Sequence, residues 1–482
     1  MWRLPTLLSF VGLIGLAATA ALPSPTFSNP AARQYRVDSN VPGIPFQLNE
    51  TYAGMIPVSK EDDSRQLFYW MHLADQPSDN IVLWFQGGPG CSGLEALFQE
   101  NGPITLAFNS TTVVPNPFSW TRSSHVIYLD QPVGTGLSKG RVDARNEADV
   151  AKELIGFLEN FFDIFTEFKG KSLWLAGESY GGMYVFYLAD ALYSRPASVN
   201  AAAGINLQGL TTIDAVLSSD MVQSELGSVG YASAHQAHLK LSDAFMTRLK
   251  AEAKQHGLLD YMDKHLTYPP KGPIPIPDVF TDPDPDYDPW SNIMTEAKAQ
   301  VGPSFNIYNT KPAYSWYAYD DPLGFLPNQT RSSNNFINNV KGFKTALHAD
   351  ESIDWKACAE DRVFVYGNDA SLPPDRTVLN RVLDKNAKTL IQHGLQDFLL
   401  IANGTKLVIQ NATFGGAQGF LEAPHRPFIV DGRRAGTFHS ERNVTYVEFL
   451  EAGHEIPMYD PPAALKAIQY LVGDISLDDL GK

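Results

Sequence analysis

Residues Leu173 to Leu192 leave this chain few choices of fold. Leu173-Trp174-Leu175-Ala176 is a short apolar run with the length of a buried strand. It runs into Gly177-Glu178-Ser179-Tyr180-Gly181, a G-x-S-x-G pattern. Met183 to Leu192 then reads as an apolar helix. Strand, sharp turn with serine at its tip, and helix is the context that lifts a serine hydroxyl above a sheet. Glycines two before and two after the serine suit the turn, because side chains there would strike the strand or the helix. The next amide, Tyr180 N–H, opens the helix and can face an oxyanion developing at the serine. Taken alone, the pattern also fits a Gly-rich turn with an incidental serine.

The chain has 482 residues, 44% hydrophobic and 19% charged, as a folded globular protein does. That length allows up to three domains, although large α/β enzymes often keep one core with insertions. Met1-Trp2-Arg3, the apolar run from Leu7 and Ala18-Thr19-Ala20 read as a secretory signal over 1–20, cut near Ala20. The alternative, a membrane anchor, needs a longer run, and no later stretch supplies one. Residues 21–40, rich in Pro, Ser, Asn and Ala, read as a trimmed or loosely held leader. Sequons at Asn49, Asn109, Asn328, Asn403, Asn411 and Asn443 fit glycosylation in the secretory pathway. The expected destination is therefore extracellular or vacuolar. In such an oxidising compartment Cys91 and Cys358 pair as one disulfide, or remain two free thiols. No Cys/His group has structural-zinc spacing, and neither metal nor cofactor is expected. A net charge of −16 argues against nucleic acid and suits an acidic or extracellular setting.

Along the chain, Tyr52–Val58 and Gln66–Met71 read as early strands, and Ile81–Phe85 as a buried one. The last runs into Gln86-Gly87-Gly88-Pro89-Gly90-Cys91-Ser92-Gly93. A Gly-rich loop there lets backbone amides approach a ligand closely, as the second half of an oxyanion hole, or is a plain Gly/Pro turn. Val126–Leu129 reads as a strand and 146–168 as an amphipathic helix. Alternating strands and helices predict an α/β fold around a mostly parallel mixed sheet. After about residue 214 the composition shifts to helical stretches, such as Ala234 to His256, and to proline runs at 269–277 and 282–289. Prolines cannot enter a sheet interior. The core is therefore expected over 41–213 and 376–482, with a large cap insertion over 214–375. Thr389–Gly394 restarts the sheet, and Val444–Leu450 is a last strand before Gly453-His454.

A serine nucleophile needs a base, and the base needs an orienting carboxylate. In this type of fold the order is Ser, acid, His, with the last two on loops after late strands. Ser179, Asp397 and His454 satisfy that order. His393 lies upstream of Asp397 and too close to it.

Four motifs now stand together: Trp84-Phe85-Gln86-Gly87-Gly88-Pro89-Gly90-Cys91-Ser92, Asp130 to Gly136, Gly177 to Gly182 and Ala452-Gly453-His454-Glu455-Ile456-Pro457. In order and spacing, from about residue 50 to 470, the chain resembles the serine carboxypeptidases, secreted or vacuolar exopeptidases of α/β-hydrolase fold, and looks fungal. The resemblance implies Ser179 as nucleophile, His454 as base and Asp397 as its orienter. It implies an oxyanion hole from the amides of Gly88 and Tyr180. It implies that Gln86, Gly87, Glu100 and Glu178 recognise the free C-terminal carboxylate of a peptide or protein. Two adjacent carboxyls cannot both ionise cheaply, so one keeps a proton and can donate to that carboxylate. Activity best at acidic pH is the consequence. The pair Cys91–Cys358 matches a bridge the family shares.

The chain departs from the pattern in places. Gln86 stands where the family usually has Asn, which keeps the donor but adds a methylene. Gly209 to Asp214 replaces a Gly/Asn-rich stretch. Glu455, beside His454, reads either as a group that favours a basic C-terminal residue or as a solvated acid. An acyltransferase or esterase on the same scaffold is the alternative enzyme, and a non-catalytic binding protein the alternative class.

Overall fold

The computed structural model describes residues 27–106, 112–277, 279, 287–302, 305–312, 323, 335–359 and 363–482. The signal segment 1–20, the start of the leader, the second proline run from 282 to 286, Asn109 and Asn328 lie outside them.

A ten-stranded sheet forms the centre. Its strands are β1 Thr51–Pro57, β2 Gln66–His72, β3 Asn80–Phe85, β4 His125–Asp130, β5 Ser172–Glu178, β6 Leu207–Ile213, β7 Lys388–Gly394, β8 Arg426–Val430, β9 Arg433–Glu441 and β10 Val444–Phe449. Their spatial order is β1-β2-β4-β3-β5-β6-β7-β10-β9-β8. The middle strands, β4 through β10, pair in parallel. Two antiparallel strands flank them at each edge. β6, β8 and β9 add to the strands expected from sequence.

The helices that matter here are α1 Gly93–Gln99, α2 Glu147–Ile164, α3 Gly181–Ser194, α4 Leu226–Ala234, α5 Asp243–Gln255, α6 Pro289–Val301, α7 Leu379–Lys385, α8 Ala402–Asn411 and α9 Pro461–Val472. The period of two along a strand sends alternate side chains to opposite faces. Ile81, Leu83 and Phe85 of β3 join a core with α2 and α3, while Val82 and Trp84 join a second core with α1 and α9. Both faces are covered, which is why these strands read as continuous apolar runs. α2 begins at Asn146, whose side chain accepts from Asp149 N. It buries Val150, Leu154, Phe157, Leu158, Phe161 and Phe162 on one stripe.

Two expectations change. Residues 27–40 are docked rather than loosely held: Phe27 is buried and packs edge-on against Tyr52, Phe165 and Phe168. That aromatic contact gives an otherwise polar segment its anchor. The stretch 214–375 is also not one uniform cap. α4, α5 and α6 share an apolar cluster of their own, joined by Phe398, Ile401 and Leu407. By contrast Phe336, Ile337, Phe343, Leu347 and Trp355 pack into the sheet's second core, and Val363 and Phe364 into its first. Of the helical stretch expected from Ala234 to His256 only α5 forms: α4 ends at Ala234, and Ser242 caps α5 by accepting from Phe245 N.

Cys91 and Cys358 are joined by a disulfide across 267 residues. Ala359 N donates to Gly90 O at 2.8 Å and Ser92 N to Ala357 O at 2.7 Å. The bridge thus holds the Gly-rich loop after β3 against the segment that follows Trp355.

Candidate active site

Ser179 sits between β5 and α3 with φ +56, in the left-handed region. Its backbone is held on both sides: Ser179 N donates to Ile213 O at 3.0 Å, and Val216 N donates to Ser179 O at 2.8 Å. A Cβ at Gly177 would lie 2.4 Å from Gly181 O, and one at Gly181 2.6 Å from Phe85 O. The turn therefore closes only with glycine at both places.

The Gly-rich loop after β3 comes up beside this turn. A Cβ on Gly87 would touch Ser179 Cβ at 2.6 Å, so backbone reaches the serine directly. Among the described residues, neither Gly88 N–H nor Tyr180 N–H is taken by another acceptor. Both amides remain free to serve a ligand, and donors already in place cost no reorganisation when charge develops.

Asp397 follows β7 and is fully buried. Leu399 N donates to its Oδ1 at 2.8 Å, and His454 Nδ1 lies 2.7 Å from its Oδ2. His454, after β10, is 2% exposed, and its own N–H donates to Tyr308 O at 2.7 Å. The Tyr308 ring packs against the imidazole at 5.1 Å. Ser179 and His454 line one cavity of about 370 Å³. A serine beside an imidazole whose far nitrogen is held by a carboxylate is the arrangement that activates a hydroxyl. Burial disfavours the imidazolium, but the Asp397 charge and hydrogen bond, with Glu455 and Glu100, raise the His454 pKa above its usual value. The contributions of Glu455 and Glu100 lapse when those carboxyls hold protons, leaving burial against Asp397.

Gln86, Gly87 and Glu178 line the same cavity. Gln86 is firmly oriented: Trp84 Nε1 donates to its Oε1 at 2.8 Å, and its Nε2 donates to Glu178 Oε1 at 2.8 Å and Glu100 Oε1 at 3.4 Å. The added methylene therefore does not take the amide away from the glutamates. Among the described residues, Glu100 and Glu178 each leave one buried oxygen with no hydrogen-bond partner. Carboxyl oxygens of Glu95, Glu100 and Glu178 lie within 4.8 Å of one another. One proton shared between Glu100 and Glu178 satisfies both orphaned oxygens. Burial is the main cause that raises both pKa values, and the Glu100 charge raises that of Glu178 further.

Glu455 is 3% exposed, so the solvated-acid alternative does not hold. Burial raises its pKa while His454 opposes. Of the described sequons, Asn49, Asn411 and Asn443 are exposed, and Asn403 is half-buried in α8.

Sequence reasoning missed Glu95, Tyr308 and Asp214. Glu95 is five residues before Glu100 on the α1 segment, and Asp214 directly follows β6, the strand beside the serine's. Position at the carboxyl end of a central strand is the signal that marks Asp214. Nothing in the local sequence marks Tyr308, which is brought in from the cap.

The buried acids set the pH dependence of stability. Glu100, Glu178, Glu147 and Asp214 all have pKa values raised by burial. Their folded forms bind protons more tightly than the unfolded chain, so they stabilise below the unfolded carboxylate range and lose that stability as pH rises. The buried His72 and His393 titrate only near 3 and act in the other direction, below about 6.5. Above that pH those two no longer act, and His454, whose pKa is raised, works in the same direction as the carboxyls. Thermal unfolding is expected to give a lower Tm at pH 8 than at pH 6.5. A flat or rising Tm over that interval would contradict the assignment.

A serine at a strained turn, a buried His–Asp pair and two free amides on a covered parallel sheet define an α/β-hydrolase with a serine centre. The serine carboxypeptidase family model matches residues 42–474, and the chain belongs to that family. It is a serine-type carboxypeptidase, a peptide hydrolase. It is 34% identical over 484 residues to a probable serine carboxypeptidase of Arthroderma benhamiae, covering 94% of this chain and 88% of that one. It is 32% identical over 480 residues to serine-type carboxypeptidase F of Aspergillus niger, covering 93% and 88%. The crystal structure of Kex1(delta)p, a prohormone-processing carboxypeptidase of Saccharomyces cerevisiae, aligns with TM-score 0.69 at 21% identity, over 93% of this chain and 97% of that one. No helix among the described residues is long and apolar enough to cross a membrane.

Proposed function

We propose that this protein is an acid carboxypeptidase of the secretory pathway, secreted or vacuolar, that removes single residues from the C-termini of peptides and proteins. Ser179 Oγ attacks the last peptide carbonyl while His454 accepts its proton. Asp397 holds the imidazole and stabilises its charged form. The amides of Gly88 and Tyr180 receive the oxyanion. His454 then protonates the leaving amine, and water releases the acyl chain by the reverse steps.

The observation that carries the exopeptidase reading is the Gln86–Glu100–Glu178 cluster opening on the serine's own cavity. A protonated carboxyl and an amide there can hold a terminal carboxylate, which a chain that continues past this point does not offer. Mass spectrometry of a peptide at acidic pH tests it, with the free and the amidated C-terminus compared. A ladder of single-residue losses from the free form alone is expected. Cleavage of both forms alike would overturn the carboxylate site, and cleavage of neither would favour an esterase or acyltransferase instead.

Glu455 extends the reading to substrate choice. A buried acid beside His454 biases the leaving-residue site toward Lys or Arg, increasingly as pH rises and the acid ionises. Glu455→Gln is expected to lower the ratio of Lys- to Leu-terminated cleavage by about tenfold, the effect of roughly one lost charge-assisted contact. An unchanged ratio would remove Glu455 from specificity.

A further inference from the structure

Behind the His454–Asp397 pair lies a carboxyl that the mechanism does not use. Asp214 directly follows β6, in the segment where the chain departs from the family's Gly/Asn-rich pattern. It is fully buried, with φ +41. Gly394 N donates to its Oδ1 at 2.9 Å, and His393 Nε2 lies 3.2 Å from the same oxygen. Among the described residues its Oδ2 has no hydrogen-bond partner. Atoms of Asp214, His393 and Asp397 lie within 4.8 Å of one another.

Two acceptor groups at such range, sealed from water, cannot both be carboxylates without a compensating charge. His393 does not supply it. Its Nδ1 is paired with Thr405 Oγ1 at 3.0 Å and its Nε2 with Leu400 O at 2.9 Å, the pattern of a neutral ring that donates to Leu400 and accepts from Thr405. Burial also pushes its pKa down to about 3. Among the described residues, the other titratable groups around Asp214 are Glu455 and His454 after β10 and Tyr446 within it. Glu455 is an acid, Tyr446 is neutral, and the positive charge that forms on His454 is already matched by Asp397. A proton on Asp214 Oδ2 resolves the conflict and gives that orphaned oxygen a partner.

We propose that Asp214 is a positioning residue of the catalytic triad, a neutral carboxylic acid whose Oδ2–H donates a hydrogen bond to the Asp397 carboxylate. This rests on the carboxypeptidase reading, in which Asp397 orients His454. The bond has two effects. It fixes the Asp397 plane relative to the imidazole. It also draws negative charge away from His454, so that the imidazole becomes the neutral base at lower pH than an unassisted Asp–His pair would allow. An acid-active enzyme with a buried, carboxylate-paired histidine needs such a correction.

The test compares D214N, which keeps a donor, with D214G, which removes it and tolerates the positive φ. The pH dependence of kcat/KM for an ester substrate reads the histidine without involving the Glu100–Glu178 pair. D214N is expected to superimpose on the wild type in its acid limb. D214G is expected to move that limb to higher pH by about half to one unit. A downward move in D214N would mean that Asp214 is ionised, and would overturn the proposal. An unmoved limb in D214G, with only a lower Tm, would reduce Asp214 to a structural role. The low-field Nδ1–H proton resonance of His454 provides a second measurement that needs no turnover. It should shift in D214G and hold in D214N; an unshifted resonance in D214G would equally overturn the proposal. If the wild type fails to hydrolyse peptides, the carboxypeptidase reading fails while this resonance still decides the Asp214–Asp397 bond.

Discussion

Ser179→Ala is expected to lower kcat/KM on a peptide with a free C-terminus by on the order of 10⁵, with little change in KM and none in Tm. The hydroxyl is the only atom removed. The half-buried side chain contributes nothing to the cores on either face of the sheet. The terminal carboxylate still meets Gln86 and the glutamates, so binding survives. His454→Ala should cost about as much, and the double variant no more than either single one, because the residues act as a unit. Asp397→Asn should cost on the order of 10⁴, since the amide can no longer hold the imidazole in the tautomer that Nδ1 donation requires. Steady-state kinetics on purified variants reads all four. A Ser179→Ala protein with more than a tenth of the wild-type rate would place the nucleophile elsewhere.

The second large effect separates peptides from esters. Glu100 and Glu178 both hold their protons above the usual carboxylate range, chiefly because they are buried. Below that raised range the pair carries a proton and can donate to the substrate's carboxylate. As pH rises through it, the last proton leaves and two negative charges face a third. The kcat/KM of a peptide should then fall by about tenfold for each pH unit beyond the pair's apparent pKa, mainly through KM. An ester with a blocked end has no carboxylate to repel. Its profile should follow His454 alone and rise to a plateau. Glu178→Gln keeps a polar group in place but cannot ionise, and should move the peptide's alkaline limb to higher pH. Peptide and ester profiles that superimpose above neutrality would refute the carboxylate pair.

Much of this site was legible because short-range chemistry constrained it. The elbow needs glycines at 177 and 181, and the structure shows backbone carbonyls where their side chains would go. The order Ser179, Asp397, His454 follows from strands that end on one edge of a parallel sheet. β8 and β9 were missed because half of their residues face outward and carry no continuous apolar run. The leader reads as loose because a single aromatic, Phe27, anchors a segment whose composition is otherwise that of a loop. The cap reads as one unit because proline runs show where a sheet stops, not which core the following residues join.

By itself the sequence determined the elbow from Leu173 to Leu192, the parallel sheet and the order of Ser179, Asp397 and His454 along the chain. Those depend on local sterics and on chain order, which are written in neighbouring residues. Only the tertiary structure decided how the buried acids share protons. Glu95, Glu100, Glu178 and Glu455 come from two separate stretches of chain and the elbow, and Asp214 meets Asp397 from the adjacent strand. A carboxyl's protonation depends on distance, burial and neighbouring charge, and none of these can be read before the strands lie side by side.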